Sequence, residues 1–254
     1  MQEKPGLEET VELMKDLRRR CEWDAAQTHE SLRPYLLEEA YEVDDAIRSG
    51  NDTLLREELG DLLLQVLFHS VVAEERGAFD FGDVVEGFLR KMKSRHPHLY
   101  EGGERQSWEG MKAKKRASIV DGLPADLPSL HRTFRLQDRA AGVGFDWPDA
   151  SGAAAKVEEE LAEVRAEVAR GAEPSAYGVP DERLEEELGD LLFAVVNLSR
   201  KLGVHPSLAL DKANVKFAAR FQEIERLARE RGIDVGTAGL PVLDSLWDEI
   251  KSEE

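Results

Sequence analysis

The sequence predicts an all-α protein built as a tandem repeat of two related helical-bundle units. Three observations carry this. Apolar residues recur at i, i+3 and i+4 through most of the 254 residues, the period of helices with one buried stripe. Stretches that alternate apolar and polar residues are short and β-branched runs are few, so strand signals are weak. A set of short motifs also occurs twice in the same order, the mark of a duplicated unit.

Taken in order, helices are expected over residues 7–20, 32–48, 53–76 and 81–95, then over 153–169, 181–202, 206–231 and 241–251. Gly50-Asn51-Asp52-Thr53 reads as a turn followed by an N-cap. Gly77 to Asp80 and Gly203 to Pro206 read as helix stops, and RHPHLY, residues 95–100, as a helix end broken by Pro97. DGLPADLPSL, residues 121–130, holds two prolines and few helix formers, so it is expected to link an N-terminal unit, 1–120, to a C-terminal unit, 131–254. The first unit carries LLEEAYEV, LREELGDLL, KMKSR and WEGMK; the second carries KVEEELAEV, LEEELGDLL, KFAAR and WDEIK. CEWD at residues 21–24 is echoed by FDWPD at 145–149.

Composition narrows the function. A net charge of −18 argues against a nucleic-acid polymer as partner, since phosphate backbones are bound by Lys and Arg that displace counterions. No run approaches the 18 or so apolar residues of a membrane span. Cys21 is the single cysteine, which excludes an internal disulfide and fits a reducing, cytoplasmic setting.

The repeated acids carry the chemistry. Glu39 and Glu42 are three apart, as are Glu58 and Asp61, so each pair shares a helix face. If the two helices oppose these faces, four carboxylates meet, and the second unit supplies Glu160, Glu163, Glu187 and Asp190 in the same way. Such a cluster needs a cation to stay ionised. An all-oxygen ligand set selects a hard divalent ion, Mg²⁺ with Mn²⁺ as a substitute, and Mg²⁺ commonly takes phosphate oxygens as further ligands. Gly60 and Gly189 are expected to clear space beside the acids, and the leucines around them to face the bundle core. Lys216 and Arg220, one turn apart, can reach phosphates, while Trp247 and Lys251 can stack on a base and pair a phosphate. The second unit has Arg183, Asn197 and Asn214 where the first has Leu54, Phe68 and Leu89, which points to it as the principal catalyst. Glu159 and Glu186, adjacent to the proposed ligands, are the candidate bases. By itself a carboxylate pair at helical spacing is a common solvated face, His69 reads as a packed core or helix-surface histidine rather than a ligand, and Trp247 can equally be a core anchor. The repetition of the whole ordered set is what points to a site.

EEAYE…ELGD and EEELAE…ELGD resemble the EExxE…ExxD pattern of the all-α nucleoside triphosphate pyrophosphohydrolases. With CEWD, RHPH and GFDW in place, the chain is similar over nearly its whole length to the tandem MazG family. The resemblance implies Mg²⁺-dependent hydrolysis of a nucleoside triphosphate to the monophosphate and pyrophosphate, with a role in cleansing the nucleotide pool. It implies metal ligands at Glu39, Glu42, Glu58 and Asp61 and at Glu160, Glu163, Glu187 and Asp190. It implies nucleotide contacts at Arg183, Glu186, Lys216, Arg220, Trp247 and Lys251. Glu22 stands where the family usually has proline, and Arg183 where a lysine is common. Two other readings are a carboxylate-bridged di-iron bundle, which typically needs Glu-x-x-His pairs absent at the motif positions, and a non-catalytic helical partner module. Amphipathic helices in a duplicated bundle suggest self-association, most simply as a homodimer.

Overall fold

A computed structural model describes residues 6–100, 102, 117–171 and 181–252. The chain divides into two compact units, Met1–Arg105 and Gln106–Glu254. All regular elements among the described residues are helical.

In the first unit α1 spans Leu7–Arg20, α2 Glu22–Ala26, α3 His29–Ser49, α4 Asp52–Glu75, α5 Phe81–Arg95 and α6 Pro97–Tyr100. The helix ends follow from local chemistry. Thr28 and Ser31 form a reciprocal capping box at the start of α3, which draws three polar residues into a helix that its apolar pattern starts only at Leu32. Gly50 ends α3 with φ 66°, and Asn51 then accepts from the backbone N–H groups of Thr53 and Leu54 to start α4. With two residues between them, α3 and α4 turn back on each other as an antiparallel hairpin. Asp80 and Asp83 cap α5 reciprocally. Pro97 stops α5 as expected and opens the single turn of α6.

The core of this unit is Met14, Leu32, Leu67, Phe68, Val71 and Val72. Arg18 closes one side. Its guanidinium donates to the carbonyl of Gln27 at 3.0 Å and to that of Asp24, pairs with Glu75, and lies 5.8 Å from the Phe68 ring centre.

In the second unit α7 spans Ser129–Gly142, α8 Ala150–Ala169, α9 Glu182–Lys201, α10 Pro206–Glu230 and α11 Leu240–Ser252. Asp149 and Asp181 cap α8 and α9. α8 packs along α9, which also meets α7, and α11 folds onto α10 around Ile224, Ala228, Leu246 and Ile250. Helix α7 has no counterpart among the expected helices: three of its 14 residues are arginine, and the residues it buries are Gln137 and Arg139. Its Arg139, itself buried, donates to the carbonyls of Ile119 at 2.8 Å and Asp121 at 3.0 Å, tying the start of the proposed linker, 121–130, to the second unit. WEGMK, residues 108–112, lies outside the described residues.

One expectation fails here and a second is narrowed. Leu59, Leu63 and Val66 do not face their unit's core; they are 49%, 36% and 40% exposed. The buried residues of α4 lie from Gln65 onward, where α1 also packs on it, and the apolar residues of its earlier turns are left uncovered among the described residues. A Cβ built on Gly60 or Gly189 meets nothing within 4 Å, so the close approach expected at these glycines, by a helix or a ligand, is not one that a helix makes among the described residues.

Candidate metal and nucleotide site

Helices α3 and α4 bring Glu39, Glu58 and Asp61 together, with one oxygen from each within 4.8 Å of the others. Glu42 lies beside them. Burial, then the charges of Asp61 and Glu42, raise the Glu39 carboxyl above its ordinary value. Burial and Glu42 do the same to Glu58. Both shifts mark negative charges held close without compensation.

Helices α8 and α9 repeat the arrangement. Glu160, Glu163 and Glu187 each place an oxygen within 4.8 Å of the other two. Asp190, one turn beyond Glu187, is exposed and stands outside this triad. Glu160 is only 4% exposed, and its Oε2 is buried with no hydrogen-bond partner among the described residues. A buried carboxylate oxygen without a donor is costly, and beside two further carboxylates its chemical complement is a cation. Lys156, one turn back on α8, supplies part of that charge: its Nζ lies 2.5 Å from Glu160 and 2.8 Å from Glu159. The lysine holds Glu160 below its ordinary value, and Glu163, whose protonated carboxyl donates to the Glu160 carboxylate, is pushed above it. The first unit has Tyr35 four residues before Glu39, so its cluster has no such lysine. The donor sets fit a hard divalent cation in both units.

The other expected contacts fall into separate groups. Arg220 places its guanidinium 5.4 Å from the Trp247 ring centre, and Phe217 lies 5.5 Å from the same ring. Trp247 is therefore partly covered, and it also packs on the Ile224–Ile250 core. These contacts make Trp247 a packing anchor of the second unit. Lys216 and Lys251 are exposed and make no ion pair among the described residues. Arg183, Glu186 and Asn214 are exposed, the first two near the start of α9 and the third on α10. Asn197 lies further along α9, where its Oδ1 accepts from Arg200 at 2.9 Å and 3.3 Å.

Sequence reasoning passed over Lys156, although its i, i+4 spacing to Glu160 was a readable signal. It also passed over a cavity of about 520 Å³ beside α7 and α9, lined by Leu136, Gln137, Phe145, Trp147, Phe193 and Asn197 among others. Without α7 in hand, nothing in the sequence brought those residues together.

His69 is packed, as expected. Its Nδ1 is 2.8 Å from Nδ1 of His29, with the rings stacked at 5.1 Å. The second unit pairs His131 with His205 at 3.1 Å.

Comparison with known proteins agrees with this geometry. A family model for the MazG nucleotide pyrophosphohydrolase domain matches residues 27–100 and again 151–224, spanning both carboxylate clusters. The chain is 44% identical over 253 residues to a protein of Thermotoga maritima named nucleoside triphosphate pyrophosphohydrolase/pyrophosphatase MazG, covering 96% of this chain and 95% of that one. It is 40% identical over 256 residues to the nucleoside triphosphate pyrophosphohydrolase of Escherichia coli K12, with the same coverage. It is also 38% identical over 245 residues to the Bacillus subtilis protein YabN, 92% of this chain and 49% of that protein.

Proposed function

The chain belongs to the MazG nucleotide pyrophosphohydrolase family and is a nucleoside triphosphate pyrophosphohydrolase; on that premise we propose how its residues divide the work. The observation that carries the proposal is the orphaned, buried Oε2 of Glu160 within a triad of carboxylates.

Mg²⁺, with Mn²⁺ as a substitute, is the proposed cation, held by Glu160, Glu163, Glu187 and Asp190 in the second unit and by Glu39, Glu42, Glu58 and Asp61 in the first. When bound, it neutralises the carboxylates and polarises phosphate oxygens. Water attacks the α-phosphorus, the bond to the α–β bridging oxygen breaks, and pyrophosphate leaves. Glu159 or Glu186 takes the proton of the attacking water. Glu159 is the better held of the two, since Lys156 fixes its carboxylate at 2.8 Å. Arg183, Asn214, Lys216, Arg220 and Lys251 bind the phosphates, with Trp247 and Asn197 beside the nucleoside. Clearing non-standard or excess nucleotides is the proposed role.

The second unit is the principal catalyst in this reading, supported by Lys156, Arg183 and Asn197, which the first unit lacks. Glu160→Gln should lower Mg²⁺-dependent turnover by about 100-fold or more, the upper end of what losing even an outer partner of a metal site costs, while Glu39→Gln lowers it less. Separation of products decides the reaction: monophosphate with pyrophosphate supports it, and diphosphate with orthophosphate refutes it. The reverse ranking of the two variants would move the principal site to the first unit.

A homodimer is proposed from the exposed apolar residues of both units, among them Leu37, Tyr41, Leu59, Leu192 and Phe217, more than a solitary unit leaves in contact with water without a partner. Mass in solution tests this. No helix among the described residues is long and apolar enough to cross a membrane. The lone Cys21 fits the reducing conditions of the cytoplasm, the proposed location.

A further inference from the structure

We propose that Arg139 is a positioning residue for the reaction: it clamps a strap, residues 118–123, onto α7 and so places Ile119 in the wall of the cavity that Asn197 shares. The proposal rests on the triphosphate reading above, in which Asn197 lies beside the nucleoside, and adds what shapes that end of the site.

The burial of Arg139 is the first argument. The residue is 6% exposed. A guanidinium keeps its charge in proteins, so burying it demands acceptors for its N–H groups. The strap supplies them. Nη1 donates to the carbonyls of Ile119 at 2.8 Å and Asp121 at 3.0 Å, and Nη2 to that of Gly122 at 3.5 Å. Three carbonyls from four consecutive residues thus meet one planar fork, a geometry that a lysine ammonium does not reproduce.

The strap is folded to present them. The Ser118 N–H donates to Asp121 Oδ2 at 2.8 Å and the Asp121 N–H to the Ser118 carbonyl at 3.2 Å. The Leu123 N–H donates to the Val120 carbonyl at 3.1 Å. Gly122 takes φ 63°, a left-handed conformation that glycine adopts without strain. Two tight turns therefore follow each other, and the carbonyls converge on one side. A second tie lies further on. Arg132, seven residues before Arg139 and about 10 Å back along α7, donates to the Ala125 carbonyl at 3.3 Å. The chain from 119 to 125 runs antiparallel along α7, fastened at two points.

The clamp also decides which side chain enters the cavity. Ile119 lines it together with Leu136 and Ala140 of α7, whereas the adjacent Val120 is 56% exposed. With the Ile119 carbonyl on Arg139 and its side chain in the wall, fixing one fixes the other. Helix α7 is itself tied to α9 by Gln137, whose Nε2 donates to the Phe193 carbonyl at 2.8 Å. Strap to α7 to α9 is thus a chain of buried polar contacts that sets the width of the cavity. The carboxylates stand on α8 and α9, so loosening the strap changes how substrate is held and leaves the reacting end in place.

The test uses the full-length protein, Arg139→Lys, Ile119→Ala, the double variant and Gly122→Ala, with melting temperature as the check on folding. Steady-state kinetics are measured with ATP, GTP, CTP and UTP in Mg²⁺. Arg139→Lys should raise KM about 10-fold, the loss of one charge-assisted hydrogen bond, and leave kcat within a few-fold. Ile119→Ala should raise KM several-fold at an unchanged melting temperature. In the double variant it should add little to Arg139→Lys, because the strap no longer holds its place. Amide hydrogen exchange across residues 118–125 should quicken in Arg139→Lys while that of α8 and α9 stays as in wild type. An Arg139→Lys protein with a lower melting temperature and an unchanged KM has a merely structural arginine, which overturns the proposal. So does a wild-type KM for Ile119→Ala with all four substrates, or effects of the two substitutions that multiply in full. Should Arg139→Lys fail to fold, Gly122→Ala takes its place under the same criteria, since an added Cβ there strains the turn and meets nothing within 4 Å. If wild type hydrolyses none of the triphosphates, the parent reading fails and the role of the clamp falls with it; turnover by wild type beside variants of unchanged KM sinks the clamp alone.

Discussion

Lys156 Nζ lies 2.5 Å from one oxygen of Glu160, while the other oxygen of that carboxylate is buried without a partner. Half of this acid is thus answered by the chain and half is left for a cation. Lys156→Met should lower the melting temperature of the metal-free protein, since Glu160 then keeps a buried charge with no counterion. Added Mg²⁺ should raise the melting temperature of the variant more than that of wild type. Equal Mg²⁺ responses in the two proteins would show that the lysine and the metal do not answer the same carboxylate.

Gly189 sits in the interior of α9 with open space where a side chain would be. Gly189→Ala should stabilise the second unit by about 0.5–1 kcal/mol, the helix-interior cost of glycine. Thermal or denaturant unfolding measures it. A loss of stability instead would show that a second copy of the chain occupies that space.

Arg18 joins α1, α2 and α4 through one guanidinium. Arg18→Ala should destabilise the first unit by about 2 kcal/mol, taken from charged hydrogen bonds and reduced for the exposure of Glu75. The hydrogen bond from Arg18 holds the Glu75 carboxyl below its ordinary value. Its folded pKa is depressed, so its contribution is complete above the unfolded value of about 4.3 and is lost as pH falls through the lower folded value. Wild type should therefore lose stability across that acid range more steeply than Arg18→Ala, as denaturant titrations from pH 6 to pH 3 would reveal.

The histidine pairs add a second acid response, nearer neutrality. Burial first, and then the neighbouring imidazole, lower His69 and His131 below their ordinary value. Between that lower value and about 6.5 the unfolded chain binds more protons than the folded one. Stability should fall as pH drops below about 6.5 and level off once the folded values are passed. Replacing both His69 and His131 with Gln should flatten this part of the profile; an unaltered slope would assign it to other groups.

Most of the helices were legible because each carries its own signal. Leu7–Arg20 and Phe81–Arg95 begin and end where periodicity and their flanking residues put them. The start of α3 was read three residues late because Thr28 and Ser31 cap it with polar side chains that apolar spacing does not register. Helix α7 was missed for a related reason: Arg139 and Gln137 are its buried residues, and their burial depends on carbonyls distant in sequence.

By itself the sequence determined the duplicated all-α plan, the two carboxylate sets and the family they mark. These follow from i, i+3 and i+4 spacing, which a helix converts into shared faces without help from the rest of the fold. The tertiary structure decided which acids converge, leaving Asp190 outside the triad that Glu160, Glu163 and Glu187 form. It also decided that Lys156 answers one oxygen of Glu160, that Leu59 and Leu63 stay exposed, and that Gln137 and Trp147 line a cavity with Asn197. Those outcomes depend on which helix packs against which face, and burial, desolvation and orphaned polar atoms exist only once that packing is made.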